Sequence, residues 1–423
     1  MIINKNFDLK DLGYSNFNES SNLPRFKWYS YKEGFSPSLV NYAIDSFNNF
    51  NKAEDLIVDP FNGSGTTTLF SSLNNYKSIG FEVNPFSAFV SKVKETNLTQ
   101  KQIELLKHET ENILRIKSLK KSPLLEYSTF SKTKKNEKYL FNPEVLNFYE
   151  SAKVKICNVT DTKVRNILIL ANLSSIMKNC NAKKDGKCLR YKNNWLDLNY
   201  DAINFKFSFS ENVANYIEDI SLHPVRKPSK IFSGDSRKII ENKLDKFKLC
   251  ITSPPYLNSF DYTDIYRPEL FLGDFVKSSE QLKKQRNKTF CSHIHNSKKF
   301  NSNISFGLNY DVMINSIIKK QNELWSVKIV PMIQTYFSDM YNMLKSLRMK
   351  GAKNSQLWMV VGNSAYLDSS IPTDLIIAEI GNSVGWHLKE IGVMRYIHKR
   401  GSIYSPSIKN LRESVIIFSS TKF

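Results

Sequence analysis

The segment Leu56-Ile57-Val58-Asp59-Pro60-Phe61-Asn62-Gly63-Ser64-Gly65-Thr66-Thr67-Thr68-Leu69 restricts the possible folds of this chain more than any other. A short apolar run reads as a buried strand, two glycines as a turn that lets the backbone approach a ligand, and the threonine run as the start of a helix. The orphan N–H groups of such a helix start favour polar groups facing them. Further on, Ser78-Ile79-Gly80-Phe81-Glu82-Val83-Asn84-Pro85 reads as the next strand, ending in an acid. Strand, glycine turn, helix and acid-tipped strand make a βαβ unit, so a parallel sheet covered by helices is expected. In such units a carboxylate after the second strand accepts hydrogen bonds from ribose hydroxyls, which makes Glu82 the expected ribose ligand. A P-loop is excluded, because no Gly-Lys-Ser/Thr follows the glycines.

A second apolar run, Leu249-Cys250-Ile251, stops at Thr252-Ser253-Pro254-Pro255-Tyr256. Neither proline has an N–H and each fixes its own φ, so the backbone is stiff where it leaves the sheet. In open α/β sheets ligands sit at that end of the strands. A small hydroxyl, carbonyls without local N–H partners and a flat aromatic ring suit the gripping of a planar nucleobase by its exocyclic amine. Alone, the motif would be read as a Pro-Pro turn capped by a surface tyrosine; the glycine unit tips the balance.

Two further segments fit a nucleotide-bearing cofactor. The aromatic, glycine-bearing loop from Arg25 to Phe35 precedes Ser36 or Ser38, either of which caps a helix with Leu39, Val40, Ala43, Ile44 and Phe47 on one face. That loop either closes over the cofactor or packs on the core. Ser229 to Arg237 reads as a strand ending in Gly234-Asp235, whose carboxylate either reaches the cofactor's adenine amine or turns the chain. One short helix separates it from the Ser-Pro-Pro-Tyr strand, which makes it the expected sheet neighbour of that strand.

Asp59-Pro60-Phe61-Asn62-Gly63-Ser64-Gly65-Thr66 resembles the S-adenosyl-L-methionine motif of amino-methylating DNA methyltransferases, and Ser253-Pro254-Pro255-Tyr256 resembles their catalytic tetrapeptide. Ser-Pro-Pro-Tyr is similar to the form usual in cytosine-N4 enzymes, whereas adenine-N6 enzymes more often begin with Asp or Asn. Phe35-Ser36-Pro37 resembles the family's cofactor-closing motif, and Asp235 its third motif. The match covers residues 25 to 95 and 230 to 423. It implies a Rossmann-like sheet, mostly parallel with an antiparallel terminal pair, and S-adenosyl-L-methionine as cofactor. It also implies double-stranded DNA as substrate, and a modification enzyme with a cognate restriction endonuclease as companion.

The length, 423 residues, suits a catalytic fold carrying a large insertion. Residues 1–22 are polar and read as a tail that is loose or orders on contact, 23–95 as the cofactor half, 96–229 as a mostly helical insertion and 230–423 as the catalytic half. Helical spacing marks Gln102 to Leu119 and Val164 to Met177. The formal charge of +20 points to a polyanionic partner. The insertion carries basic clusters at Lys132, Lys134, Lys135 and Lys138 and at Lys183, Lys184, Lys187, Arg190 and Lys192. The stretch 277–303, with Lys283, Lys284 and Arg286, reads as a basic loop that orders on DNA. Solvated charge is the plain alternative for both.

Cys291, His293 and His295 lack zinc spacing and read as two exposed histidines beside a thiol, so no metal is expected. Arg267 and Glu269 read as a structural ion pair. Five cysteines without CxxC spacing suggest free thiols in a reducing cytoplasm, and no apolar run is long enough to span a membrane. Carbon-5 methylation would need a cysteine after proline, and the chain has no Pro-Cys. Adenine N6 remains the nearest alternative target, since both amines present the same geometry. An RNA amine comes next, and a non-catalytic DNA-binding subunit with a degenerate cofactor fold is the reading from another class.

Overall fold

The computed structural model describes residues 3–127, 130, 138–185, 188–296, 304–367, 369–398, 408 and 410–422. The strands are β1 (Ile3–Asn4), β2 (Leu56–Asp59), β3 (Lys77–Glu82), β4 (Ala182–Asp185), β5 (Cys188–Tyr191), β6 (Lys230–Ser233), β7 (Phe247–Thr252), β8 (Gly351–Gly362), β9 (Ser364–Tyr366), β10 (Ser369–Ile371), β11 (His387–His398) and β12 (Asn410–Ser419). Eight of them form one sheet in the order β1-β11-β12-β8-β7-β2-β3-β6. From β8 to β6 all neighbours run parallel, while β12 is antiparallel to both β8 and β11. This is the Rossmann-like α/β arrangement that the βαβ pattern implies.

The helices are α1 (Pro37–Asp45), α2 (Thr66–Leu73), α3 (Pro85–Lys94), α4 (Gln100–Leu114), α5 (Pro143–Cys157), α6 (Thr162–Lys178), α7 (Ala202–Leu222), α8 (Ser236–Lys243), α9 (Tyr262–Ile265), α10 (Arg267–Leu272), α11 (Ser279–Arg286), α12 (Leu308–Lys319), α13 (Ile329–Lys350) and α14 (Thr373–Ser383). Ile57, Leu249, Ile251, Trp358 and Val360 point into one core with α1, and Val58, Cys250, Leu357 and Met359 into another with α13 and α14. Alternate residues of each central strand thus serve opposite faces, and both faces are covered.

Several expectations need correction. Residues 3–22 are not a loose tail: β1 pairs with β11, and Phe7 and Leu9 are buried against α1. Strand β6 is not the neighbour of β7 but the far edge of the sheet, beyond β3. After β6 the chain crosses back over β3 and β2, so the winding reverses between β2 and β7. Helix α4 stops at Leu114, short of Leu119; the chain then docks on α5, where Lys120 N–H donates to Ser151 Oγ at 2.7 Å. Residues 279–286 are helix, capped by Ser278, rather than loop, and the Lys132, Lys134 and Lys135 cluster lies outside the described residues. The helical block of α4 to α7 packs on the catalytic half. Its core takes in Phe86, Val90 and Val93 of α3 together with Tyr266, Leu270 and Leu272 around α10, so the segment after Ser-Pro-Pro-Tyr is braced from the helical side.

Candidate active site

The winding reversal brings the tips of β2 and β7 side by side. Thr252 Oγ1 donates to Asp59 Oδ1 at 2.7 Å, a buried bond between residues 193 apart in sequence. The two motifs therefore open into one cavity of about 480 Å³, lined by Asp59, Pro60, Phe61, Gly63, Ser64, Thr66, Glu82, Asp235 and Ser253 to Tyr256 among others. Burial pushes the Asp59 carboxyl up to about 6, against the bonds from Thr252 and the Phe61 N–H.

The glycine turn is held from below and from the side. Gly63 and Gly65 have φ of 50° and 92°, in the region that favours glycine. A Cβ on Gly65 would lie 2.3 Å from Ser91 Oγ, and one on Gly63 would lie 3.0 Å from the Tyr31 ring. Glu82 bridges the turn: one carboxylate oxygen accepts the Gly63 N–H and the other the Asn84 N–H, each at 2.7 Å. Burial raises this carboxyl to about 7, opposed by those two bonds. Each oxygen keeps lone-pair capacity toward the cavity.

At the opposite wall Tyr256 is seated on a row that crosses the sheet. Gly362, Glu413 and Arg395 are register partners on β8, β12 and β11. The Tyr256 hydroxyl donates to Glu413 Oε1 at 2.9 Å, and Arg395 Nε holds the other oxygen at 2.6 Å. The ring lies directly over Gly362, where a Cβ would come within 2.8 Å. Tyr262, packed edge-on against Phe260 at 4.4 Å, also lines the cavity.

Other anticipated residues are placed differently. Phe35 lines the cavity but is only 4% exposed and belongs to the core under β7. Ser36 does not line it: its hydroxyl caps α1 by accepting the Ser38 N–H at 3.0 Å. Gly65 also stands back from the cavity, shaping the turn. Both oxygens of Asp235 are engaged by Arg237, at 2.9 Å each. Lys184 is no surface cation, since its ammonium lies 2.5 Å from the fully buried Glu269 and 3.6 Å from the centre of the Tyr266 ring. Tyr266 stacks on Tyr31 at 5.1 Å, so Lys184 braces the aromatic pair that backs Gly63. Glu269 therefore pairs with Lys184, and Arg267 pairs with Asp264 at 3.3 Å instead.

Arg286 also turns inward, 2.7 Å from Asp261. Lys283 and Lys284 remain exposed on α11, Lys284 against Glu280 at 2.9 Å. Lys183 is exposed, Arg190 pairs with Asp185 at 2.9 Å, and Lys187 lies outside the described residues. His293 is not an exposed histidine: it is 2% exposed and lines the cavity. Its Nδ1 accepts the His295 N–H at 3.2 Å, and its Nε2 lies 3.7 Å from Asp261. Burial holds this imidazole below its ordinary value, against the pull of Asp261. Sequence reasoning passed over Tyr31, Glu413 and Arg395. The only local signal was a charged pair, Arg412-Glu413, opening an otherwise apolar strand.

Residues 3–95 match the family model for DNA methylases of the N6/N4 type. The chain is 26% identical over 417 residues to the type II methyltransferase M.AvaI of Nostoc sp. (strain PCC 7120 / SAG 25.82 / UTEX 2576), covering 89% of this chain and 82% of that one. It is 24% identical over 441 residues to the type II methyltransferase M.BsoBI of Geobacillus stearothermophilus, covering 91% and 83%. In these comparisons the chain is similar to amino-DNA methyltransferases. Among solved structures, TrmN from Thermus thermophilus aligns with a TM-score of 0.31 and 7% identity over 95% of this chain and 53% of TrmN's own length.

The methyl donor of this methyltransferase is S-adenosyl-L-methionine. The cavity fits such a group. Two carboxylates, Asp59 and Glu82, line it and would suit a ligand that carries a positive sulfur and ribose hydroxyls. Among the described residues, no helix is long and apolar enough to cross a membrane.

Proposed function

We propose that the enzyme methylates the exocyclic N4 of a cytosine turned out of double-stranded DNA, as the modification partner of a restriction endonuclease. The observation that carries this reading is the Thr252–Asp59 bond, which makes the Ser-Pro-Pro-Tyr tip and the glycine turn two walls of one cavity. The serine at the first position of the tetrapeptide favours cytosine N4 over adenine N6.

When bound, S-adenosyl-L-methionine supplies an electrophilic methyl on a sulfonium sulfur. In this proposal Glu82 receives its ribose hydroxyls, and Gly63 and Ser64 approach its backbone side. A conjugated amine is a poor nucleophile, so the protein's task is to localise the nitrogen lone pair and hold it in line. The Ser253 hydroxyl and the Pro254 carbonyl accept the two amine N–H bonds, and prolines at 254 and 255 keep both acceptors still. Tyr256 stacks on the base, steadied by Glu413. The released proton leaves through Ser253 or water.

Expression in a host without base methylation, followed by sequencing of its DNA for modified bases, tests the reading. N4-methylcytosine at a fixed context is expected, N6-methyladenine would move the assignment to the adenine class, and an unmarked genome would refute a DNA target. Ser253→Ala and Tyr256→Ala should abolish the mark while leaving the donor's affinity close to wild type by calorimetry.

A further inference from the structure

A second cavity, also of about 480 Å³, adjoins the first where the 27–32 stretch meets α6, α7 and β4. Lys27, Lys32, Lys178, Lys183, Lys184 and Lys192 line it, and none of its described lining residues is acidic. Three of these lysines have carboxylates set back from the cavity: Asp219 for Lys27 at 3.3 Å, Glu211 for Lys178 at 2.8 Å and Glu269 for Lys184 at 2.5 Å. Lys32 donates to the Lys184 carbonyl at 2.5 Å and Lys192 to the Tyr200 hydroxyl at 3.1 Å, both uncharged acceptors, and neither lysine is paired with a carboxylate among the described residues. One wall is aromatic, with Trp28 stacked on Tyr216 at 4.5 Å. Lys32 lines both cavities, so the two meet at its side chain.

Cations around a concave site with an aromatic wall recognise phosphodiesters flanked by flat rings. We infer that this cavity holds the backbone of the substrate DNA next to the target nucleotide, with Lys32, Lys183 and Lys192 on phosphate oxygens. The inference rests on the reading of the chain as a DNA methyltransferase. Its place beside the methyl-transfer cavity gives it a purpose, since a base turned out of the duplex must have its flanking phosphates fixed if its amine is to be held in line.

The test measures duplex DNA binding by the full-length enzyme between about 50 and 200 mM potassium chloride. Each neutralised phosphate contributes about 0.9 to the slope of log affinity against log salt. Lys32→Gln, Lys183→Gln and Lys192→Gln should each flatten that slope by about this amount and raise the KM for DNA. The affinity of Lys183→Gln and Lys192→Gln for S-adenosyl-L-methionine should stay unchanged. Unaltered slopes in all three variants would overturn the assignment. So would a lysine-dependent slope seen with single-stranded RNA but not duplex DNA, or lysine-dependent calorimetric binding of a free deoxynucleoside monophosphate without any change in DNA slope. Failure of the methylation reading itself is distinguishable, because it appears as absence of any DNA mark from the wild-type enzyme.

Discussion

Gly362→Ala probes the seat of Tyr256 without touching either motif. A Cβ at position 362 would lie 2.8 Å from Tyr256 Cδ2 and 3.0 Å from Cε2, where ordinary contact begins at 3.4 Å, so the ring must move by about 0.6 Å. It cannot rotate freely away, because Glu413 holds its hydroxyl at 2.9 Å and Arg395 holds Glu413 at 2.6 Å. Misplacing a positioning group by about 1 Å costs on the order of a hundredfold in rate. A ten- to hundredfold fall in kcat is therefore expected, about 1.4 to 2.7 kcal/mol in the barrier. Position 362 sits at the end of a strand without a left-handed φ, so alanine itself is tolerated there and the fold survives. The assay is transfer of labelled methyl groups to DNA at saturating donor, with calorimetric donor affinity and thermal melting as controls. A kcat within twofold of wild type would refute the argument that the ring's position governs transfer.

Gly65→Val should remove measurable donor binding by calorimetry, since a side chain at φ 92° meets Ser91 Oγ at 2.3 Å and deforms the turn; retained affinity would show that the turn adapts. Glu82 is the basis of a pH prediction. In the proposed ribose role its ionised form accepts the hydroxyls better, and burial pushes its carboxyl up to about 7, so donor affinity should weaken as pH falls below about 7, by up to tenfold per unit. Glu82→Gln should flatten that profile. The same shift has the opposite sign for folding. A carboxyl raised from 4.5 to about 7 by burial favours the protonated form in the fold, so its contribution is lost as pH rises through that window in the ligand-free enzyme. Thermal melts of wild type and Glu82→Gln should therefore agree below about pH 4.5, separate between there and about pH 7, and keep a constant gap above it. Lys184→Met strands the fully buried Glu269 carboxylate and should cost about 3–5 kcal/mol in urea unfolding; a cost near zero would return Lys184 to the surface-cation class.

Where the expectations failed, partners far away in sequence were responsible. Lys184 and Arg286 read as phosphate contacts from their basic neighbours, but Glu269 and Asp261 lie 85 and 25 residues from them and turned both inward. His293 reads as one of two exposed histidines, but it is buried, with Asp261 3.7 Å from its Nε2. The motif that contains Ser36 points it to the cofactor, while its hydroxyl accepts the Ser38 N–H at the start of α1 and the residue does not line the cavity.

What the chain alone determined are the features carried by a residue's own backbone and its near neighbours. Prolines 254 and 255 stiffen a strand tip, glycines 63 and 65 permit a positive φ, and alternating apolar residues mark the buried strands, wherever the rest of the molecule lies. Only the tertiary structure decided that β6 goes to the sheet edge, that the winding reverses between β2 and β7, and that Gly362, Glu413 and Arg395 line up under Tyr256. The reason is physical: strand order and cross-strand register are set by burying both faces of the whole sheet at once, a constraint that no short window of sequence contains.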